Sequence, residues 1–169
     1  MSEVFDMCKT IRNHSLHFTL NPDNCWESFD KKYTNVVNKK WGEIKFLNND
    51  ATAINEEIAT VPNDKGGIYL FILKPDIVPS VHKYILYVGR VKHTANQNLR
   101  KRLREYVTDK RSDIENMRET WGKHLYIKYL PLEDNRIIMD LEKELIRVII
   151  PPCNSEYPGV LNKAMRAAF

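Results

Sequence analysis

The stretch GGIYLFILKPDIVPSVHKYILYVGR, residues 66–90, decides the fold. GIYLFIL (67–73) and KYILYVG (83–89) are rich in aromatic and β-branched residues and read as strands. Between them KPDIVPSVH, nine residues with two prolines, suits a long hairpin loop. Both runs are apolar on both faces, so the sheet they build should be covered on each side or hold them centrally.

Downstream, apolar spacing predicts a helix over about 96–107, a shorter one near 111–119, a strand at HLYIKYL (124–130) and a long helix over 135–149. Pro151 and Pro152 stop that last helix. The order is β-β-α-α-β-α: an α+β domain with a small three-stranded, mainly antiparallel sheet flanked by helices. Upstream, TVPNDKGG (60–67) is the plainest seam. It divides a segment of residues 1–60 from a main domain of residues 61–169. In NPDNCWESFDKKYTNVV (21–37), Asp23 or Asn24 can cap a helix whose stripe is Trp26, Phe29, Tyr33 and Val36. WGEIKF (41–46) reads as a short strand and 51–60 as a short helix.

At 169 residues, one domain with an accessory segment is expected. With 43% hydrophobic and 28% charged residues the chain can bury a core. No run nears the roughly 20 apolar residues that span a bilayer, and the first 20 residues lack a signal-like apolar region. Cys8, Cys25 and Cys153 are too few and too scattered for a disulfide framework or a metal pair, which points to a cytoplasmic protein without a membrane. Charge is uneven. Residues 1–64 carry 7 Lys/Arg against 10 Asp/Glu, whereas 65–169 carry 19 against 12. From Arg90 to Arg104 six basic residues meet no acid, the footprint of a polyanion partner or of a solvated helix face.

Two side chains sit where their type does not belong. On the 96–107 helix, Leu99, Leu103 and Tyr106 form the apolar stripe, and Arg102 falls on it. An inward arginine must snorkel, pair or take part in chemistry. On the 135–149 helix, Glu142 falls among Ile138, Leu141, Leu145 and Ile149. A buried carboxylate needs compensation. A salt bridge to Arg102, an edge position reaching water, or a hard divalent metal would each supply it. Tyr69 and Tyr87, each beside a glycine, occupy the two strands of the hairpin.

Together these residues resemble a GIY-YIG nuclease over about residues 60–155. Gly67-Ile68-Tyr69 and Tyr87-Val88-Gly89 are similar to the naming motifs, and Val61-Pro62 to the lead-in. Asn98-Leu99-Arg100-Lys101-Arg102-Leu103 resembles the arginine helix, Leu141–Ile146 the acidic motif, and Pro151-Pro152-Cys153-Asn154 the closing element. Arg90 stands where the excision-repair branch has lysine. The hairpin and the loop RVKHTANQ are longer than in the tightest members; the helical wheel selects Arg102 over Arg100 and Arg104.

The resemblance implies hydrolysis of a DNA phosphodiester, on double-stranded DNA, through one Mg²⁺ or Mn²⁺ on Glu142. Tyr69 or Tyr87 would activate the water, Arg102 would stabilise the transition state, and Arg90 would hold a phosphate oxygen or lower a tyrosine pKa. Asn154 would orient Glu142 or its loop. Lys92, His93, Arg100, Lys101 and Arg104 would contact the DNA backbone, with His93 as an optional relay. The alternative expectation is a silent or regulated nucleic-acid-binding module, with residues 1–60 covering the basic surface or mediating a protein partner or homodimer.

Overall fold

The computed structural model describes residues 15–18 and 26–158. Asp23, Asn24, Cys8 and Cys25 lie outside them. The described chain is α+β. It begins with a 3-10 turn (Lys31–Tyr33) and the single-turn helix α1 (Thr34–Val37), followed by β1 (Gly42–Lys45) and a 3-10 turn (Glu56–Thr60). The hairpin β2 (Gly66–Leu73) and β3 (Tyr84–Val91) comes next, then α2 (Leu99–Glu105), α3 (Ser112–Trp121), β4 (Leu125–Leu132) and α4 (Asn135–Ile149).

The sheet has four strands, not the expected three, in the order β1-β4-β2-β3, and every neighbouring pair is antiparallel. The additional strand is β1, from the segment that the sequence assigns to an N-terminal extension. It is short, but Gly42 faces Tyr129 and Ile44 faces Ile127 on β4. Ile44, Phe46, Leu47 and Ile58 then join Tyr69 and Phe71 in one buried cluster. Residues 42–60 therefore help build the core of the sheet domain.

Within residues 26–37 the N-terminal helical pattern is broken at Phe29 and Asp30, and helical turns run from Lys31 to Val37. Asp30 caps the 3-10 turn by accepting from the Lys32 amide, and its own amide donates to Glu144 on α4. Tyr33 is buried there and Phe29 and Val36 are half-buried against α4's cluster, whereas Trp26 is exposed. The expected helix at 51–60 is instead a bridge of Leu47 with Ile54 and the 3-10 turn capped by Asn55. The expected 96–107 helix shrinks to α2 because Asn98 caps it, accepting from the Lys101 amide.

Alternation along β2 sorts the core into two layers. Tyr69 and Phe71 face α2 and α3, with Leu99, Leu103, Tyr106, Ile114 and Met117. Ile68, Leu70 and Ile72 face α4, with Ile138, Leu141, Leu145 and Ile146. β3 is the sheet edge, yet that edge is closed. The Cys153 amide donates to the Leu86 carbonyl (2.8 Å), and Asn154 pairs with Val88 just beyond it. No helix among the described residues is long and apolar enough to cross a membrane.

Candidate active site

The site begins with a glycine and a tyrosine. Tyr69 on β2 stands opposite Gly89 on β3, and its ring fills the space beside the bare backbone there. Its hydroxyl donates to the Arg90 carbonyl (3.2 Å) and lies 2.9 Å from the Tyr106 hydroxyl. Tyr106, one turn beyond Arg102, in turn donates to Tyr87 (3.2 Å). Three phenols thus form a chain from the core to the molecular surface: Tyr69 is 1% exposed, and Tyr87 is half-buried. Burial pushes the Tyr69 phenol up to about 12, with Tyr87 adding to the rise and Arg102 opposing it. Burial first, then neighbouring phenols, also raise Tyr87 and Tyr106.

Arg102 enters this chain from α2. Its Nε donates to Tyr69 (3.3 Å), Nη2 to Tyr106 (3.4 Å) and Nη1 to Glu105 (2.8 Å). Its guanidinium lies 4.8 Å from the Tyr106 ring centroid. The inward arginine therefore pairs with Glu105 and with phenols, and it does not meet Glu142. The sheet separates them: Arg102 lies on the Tyr69 face and Glu142 on the α4 face.

On that second face Glu142 pairs with Arg90, Nε to Oε2 at 2.5 Å. Arg90 is opposite Ile68 in the β2–β3 register, so its side chain projects toward α4. The Glu142 carboxyl is raised above the ordinary value by burial, with Arg90 pulling the other way. Among the described residues no group of three or more His, Cys, Asp or Glu side chains converges into a metal cage. Glu142 offers one half-buried carboxylate opening on a cleft, the hard-oxygen donor type that could hold Mg²⁺ or Mn²⁺ only if water and substrate oxygens filled the other positions.

That cleft, about 620 Å³, opens along the β3 edge. Tyr87, Arg90, Glu142 and Asn154 line it. Tyr69 and Arg102 do not; they stand behind Tyr87 and reach it through Tyr106. The side-chain amide of Asn154 is engaged by Val88 and not by Glu142. Its Oδ1 accepts from the Val88 amide and its Nδ2 donates to the Val88 carbonyl, both at 2.9 Å. It acts as one more rung of β3, fixing the strand that carries Tyr87 and Arg90. Its neighbour Cys153 is buried, and burial lifts its thiol to about 12.

The expected backbone-contacting cations lie apart from the cleft lining. Lys92, His93, Lys101 and Arg104 are exposed. The His93 backbone is held by Asn135 (amide to Oδ1, 3.1 Å), while its imidazole stands at the surface. Lys101 reaches the Asn96 carbonyl (2.7 Å). Arg100 is spent inside the protein, with Nε on the Val61 carbonyl and Nη2 on the Ala59 carbonyl, both 2.7 Å.

Two site residues escape the reading of the sequence. Tyr106 counts there only as apolar, although its spacing of four from Arg102 puts both on one helix face. Arg111 leaves no local signal; it lines the cleft from the residue preceding α3. No protein-family model matches the chain, and neither a curated protein nor a solved structure matches it.

Proposed function

We propose that the chain is a divalent-metal-dependent endonuclease hydrolysing DNA phosphodiesters, the activity its resemblance to GIY-YIG nucleases implies. The observation that supports this most is the meeting of Tyr87, Arg90 and Glu142 in one cleft, with Arg102 linked to Tyr87 through Tyr106. Charge supports it too. Arg90, Arg111 and Lys143 balance Asp113, Glu142 and Glu156 around the cleft, so a divalent ion there would add the net positive charge that draws in a phosphodiester.

Glu142, which meets Arg90 in the cleft and which the resemblance assigns to the metal, would hold that ion. When bound there, a divalent ion would supply positive charge against the leaving oxygen and make water in the cleft more acidic. Arg90 moves from the carboxylate to a phosphate oxygen, as a charge-assisted donor. Tyr87 hydrogen-bonds the attacking water and relays its proton toward solvent as the water oxygen bonds to phosphorus and the P–O bond to the leaving group breaks; the leaving alkoxide takes up a proton from solvent. Tyr106 and Arg102 orient the Tyr87 hydroxyl. Tyr69, fully buried, is a positioning residue that keeps its proton.

Nicking of supercoiled plasmid in Mg²⁺ or Mn²⁺, beside EDTA and Glu142→Ala controls, tests the reading. Metal-dependent cleavage lost in Glu142→Ala supports it; cleavage surviving in that variant refutes the site. The same assay on an RNA duplex decides the sugar. The closed Arg90–Glu142 pair favours a second reading, a nucleic-acid-binding module that shifts DNA in gels and never cuts it.

A further inference from the structure

The cleft holds two arginines, and only Arg90 has a place in the chemistry above. The other, Arg111, approaches from the Tyr69 face of the sheet. Its Nε lies 3.1 Å from both carboxylate oxygens of Asp109 and its Nη2 2.7 Å from Oδ2. The Arg111 amide also donates to Asp109 Oδ1 (3.0 Å), so one carboxylate fixes backbone and side chain together. The guanidinium stands 5.9 Å from the Tyr87 ring centroid and 5.5 Å from that of Tyr106. Asp109 is largely buried, and its carboxyl is held below the ordinary range chiefly by the hydrogen bond from Arg111, so the pair stays charged at neutral pH.

This arrangement exceeds what stability asks of a surface arginine. The Arg111 side chain is 49% exposed, and exposed ion pairs contribute little to folding. What the fork does achieve is orientation. Asp109 takes the Nε and Nη2 donors, and the Tyr87 and Tyr106 side chains flank the guanidinium and hydrogen-bond it as well. A guanidinium held this way loses little freedom on binding a planar or tetrahedral oxyanion.

We propose that Arg111 is a second phosphate anchor of this cleft, binding a nucleic-acid phosphate other than the one Arg90 meets. The proposal rests on the nuclease reading for the identity of the polyanion. It assigns the two arginines to two successive contacts: Arg90 beside Glu142 at the attacked phosphate, and Arg111 beside Tyr87 at a neighbouring one. Asp109 is the positioning residue for Arg111.

The test is equilibrium binding without cleavage: fluorescence anisotropy of a labelled DNA duplex in EDTA, across a series of salt concentrations, for the full chain and for Arg111→Gln and Arg111→Lys. A lost phosphate contact removes about 0.9 from the slope of log affinity against log salt, which is roughly eightfold in affinity near 0.1 M. Arg111→Gln should show that loss while still unfolding cooperatively, with a midpoint only slightly below that of wild type. Arg111→Lys should keep the slope, because the charge remains, while binding more weakly than wild type because the fork is gone. Wild-type binding with an unchanged slope in Arg111→Gln overturns the anchor and leaves the nuclease reading standing. A slope equally reduced in Arg111→Lys also overturns it. A wild-type chain that binds no duplex overturns both.

Discussion

Tyr69 occupies the space that a side chain at Gly89 would need: a Cβ built on Gly89 would lie 2.5–2.7 Å from atoms of the Tyr69 ring. The two residues face each other across the β2–β3 ladder, so the tyrosine of one motif and the glycine of the other are halves of one packing unit. The glycine lets the ring lie against the strand, and the ring's position carries its hydroxyl to Tyr106 and the Arg90 carbonyl.

Gly89→Ala should therefore displace the Tyr69 ring and lower stability by about 1–3 kcal/mol, as overpacking does. Urea denaturation measures it. A shift below a few tenths would mean that the ring moves aside freely.

Tyr69→Phe and Tyr87→Phe should separate folding from function. Loss of the Tyr69 hydroxyl strips a buried group bonded to Tyr106, Arg102 and the Arg90 carbonyl and should cost about 1–3 kcal/mol. Tyr87→Phe removes a half-buried hydroxyl bonded to Tyr106 and should cost less in stability, but should slow metal-dependent cleavage by about 10²–10⁴. Equal cleavage by Tyr87→Phe and wild type would remove Tyr87 from the chemistry.

Glu142→Gln should abolish cleavage and raise the thermal midpoint at pH 7. Burial raises the Glu142 carboxyl, with Arg90 opposing. A carboxyl with a raised folded-state pKa binds its proton more tightly folded than unfolded. Its contribution to stability is thus best at low pH and declines as the pH rises from the unfolded value through the folded one. Removing the charge should gain about 2–4 °C for each kcal/mol recovered, and the gain should vanish below about pH 4, where the glutamate is neutral in both states. A lower midpoint for the variant at pH 7 would reverse the sign.

Asn154→Ala should lose both rungs to Val88 and about 1–3 kcal/mol of stability. Hydrogen exchange at the Val88 amide should report it directly, since that amide loses its acceptor. Protection retained in the variant would show that the segment following α4 is held by other contacts.

Arg100→Gln should lower stability by about 1–2 kcal/mol, because its two carbonyl contacts tie α2 to the turn at Ala59 and Val61. Its effect on duplex affinity should be smaller than that of Arg104→Gln, whose side chain is exposed. The reverse ranking would return Arg100 to the nucleic-acid surface.

The strands and helices from residue 66 onward were legible because their signals are local. The hairpin announces itself by two β-rich runs around a Pro-containing loop, and α4 by the stripe Ile138, Leu141, Leu145 that also exposes Glu142 as an anomaly. β1 was less legible: four residues carry little periodicity, and what makes GEIK a sheet strand is pairing with Tyr126–Tyr129, more than 80 residues on. The break in the N-terminal helical pattern at Phe29 and Asp30 was equally hidden, since Asp30 is held by Glu144 far along the chain.

The sequence by itself determined which residues are polar where apolar ones belong, and so picked out Arg102 and Glu142. Only the tertiary structure decided their partners. Strand register sends Tyr69 and Arg90 to opposite faces of one sheet, so Arg102 meets phenols, Glu142 meets Arg90, and Asn154 becomes a rung of β3. Periodicity within an element fixes which side a residue faces, because that depends on a few local dihedrals. What lies on that side depends on chain segments far away in sequence, brought there by burial of the whole core.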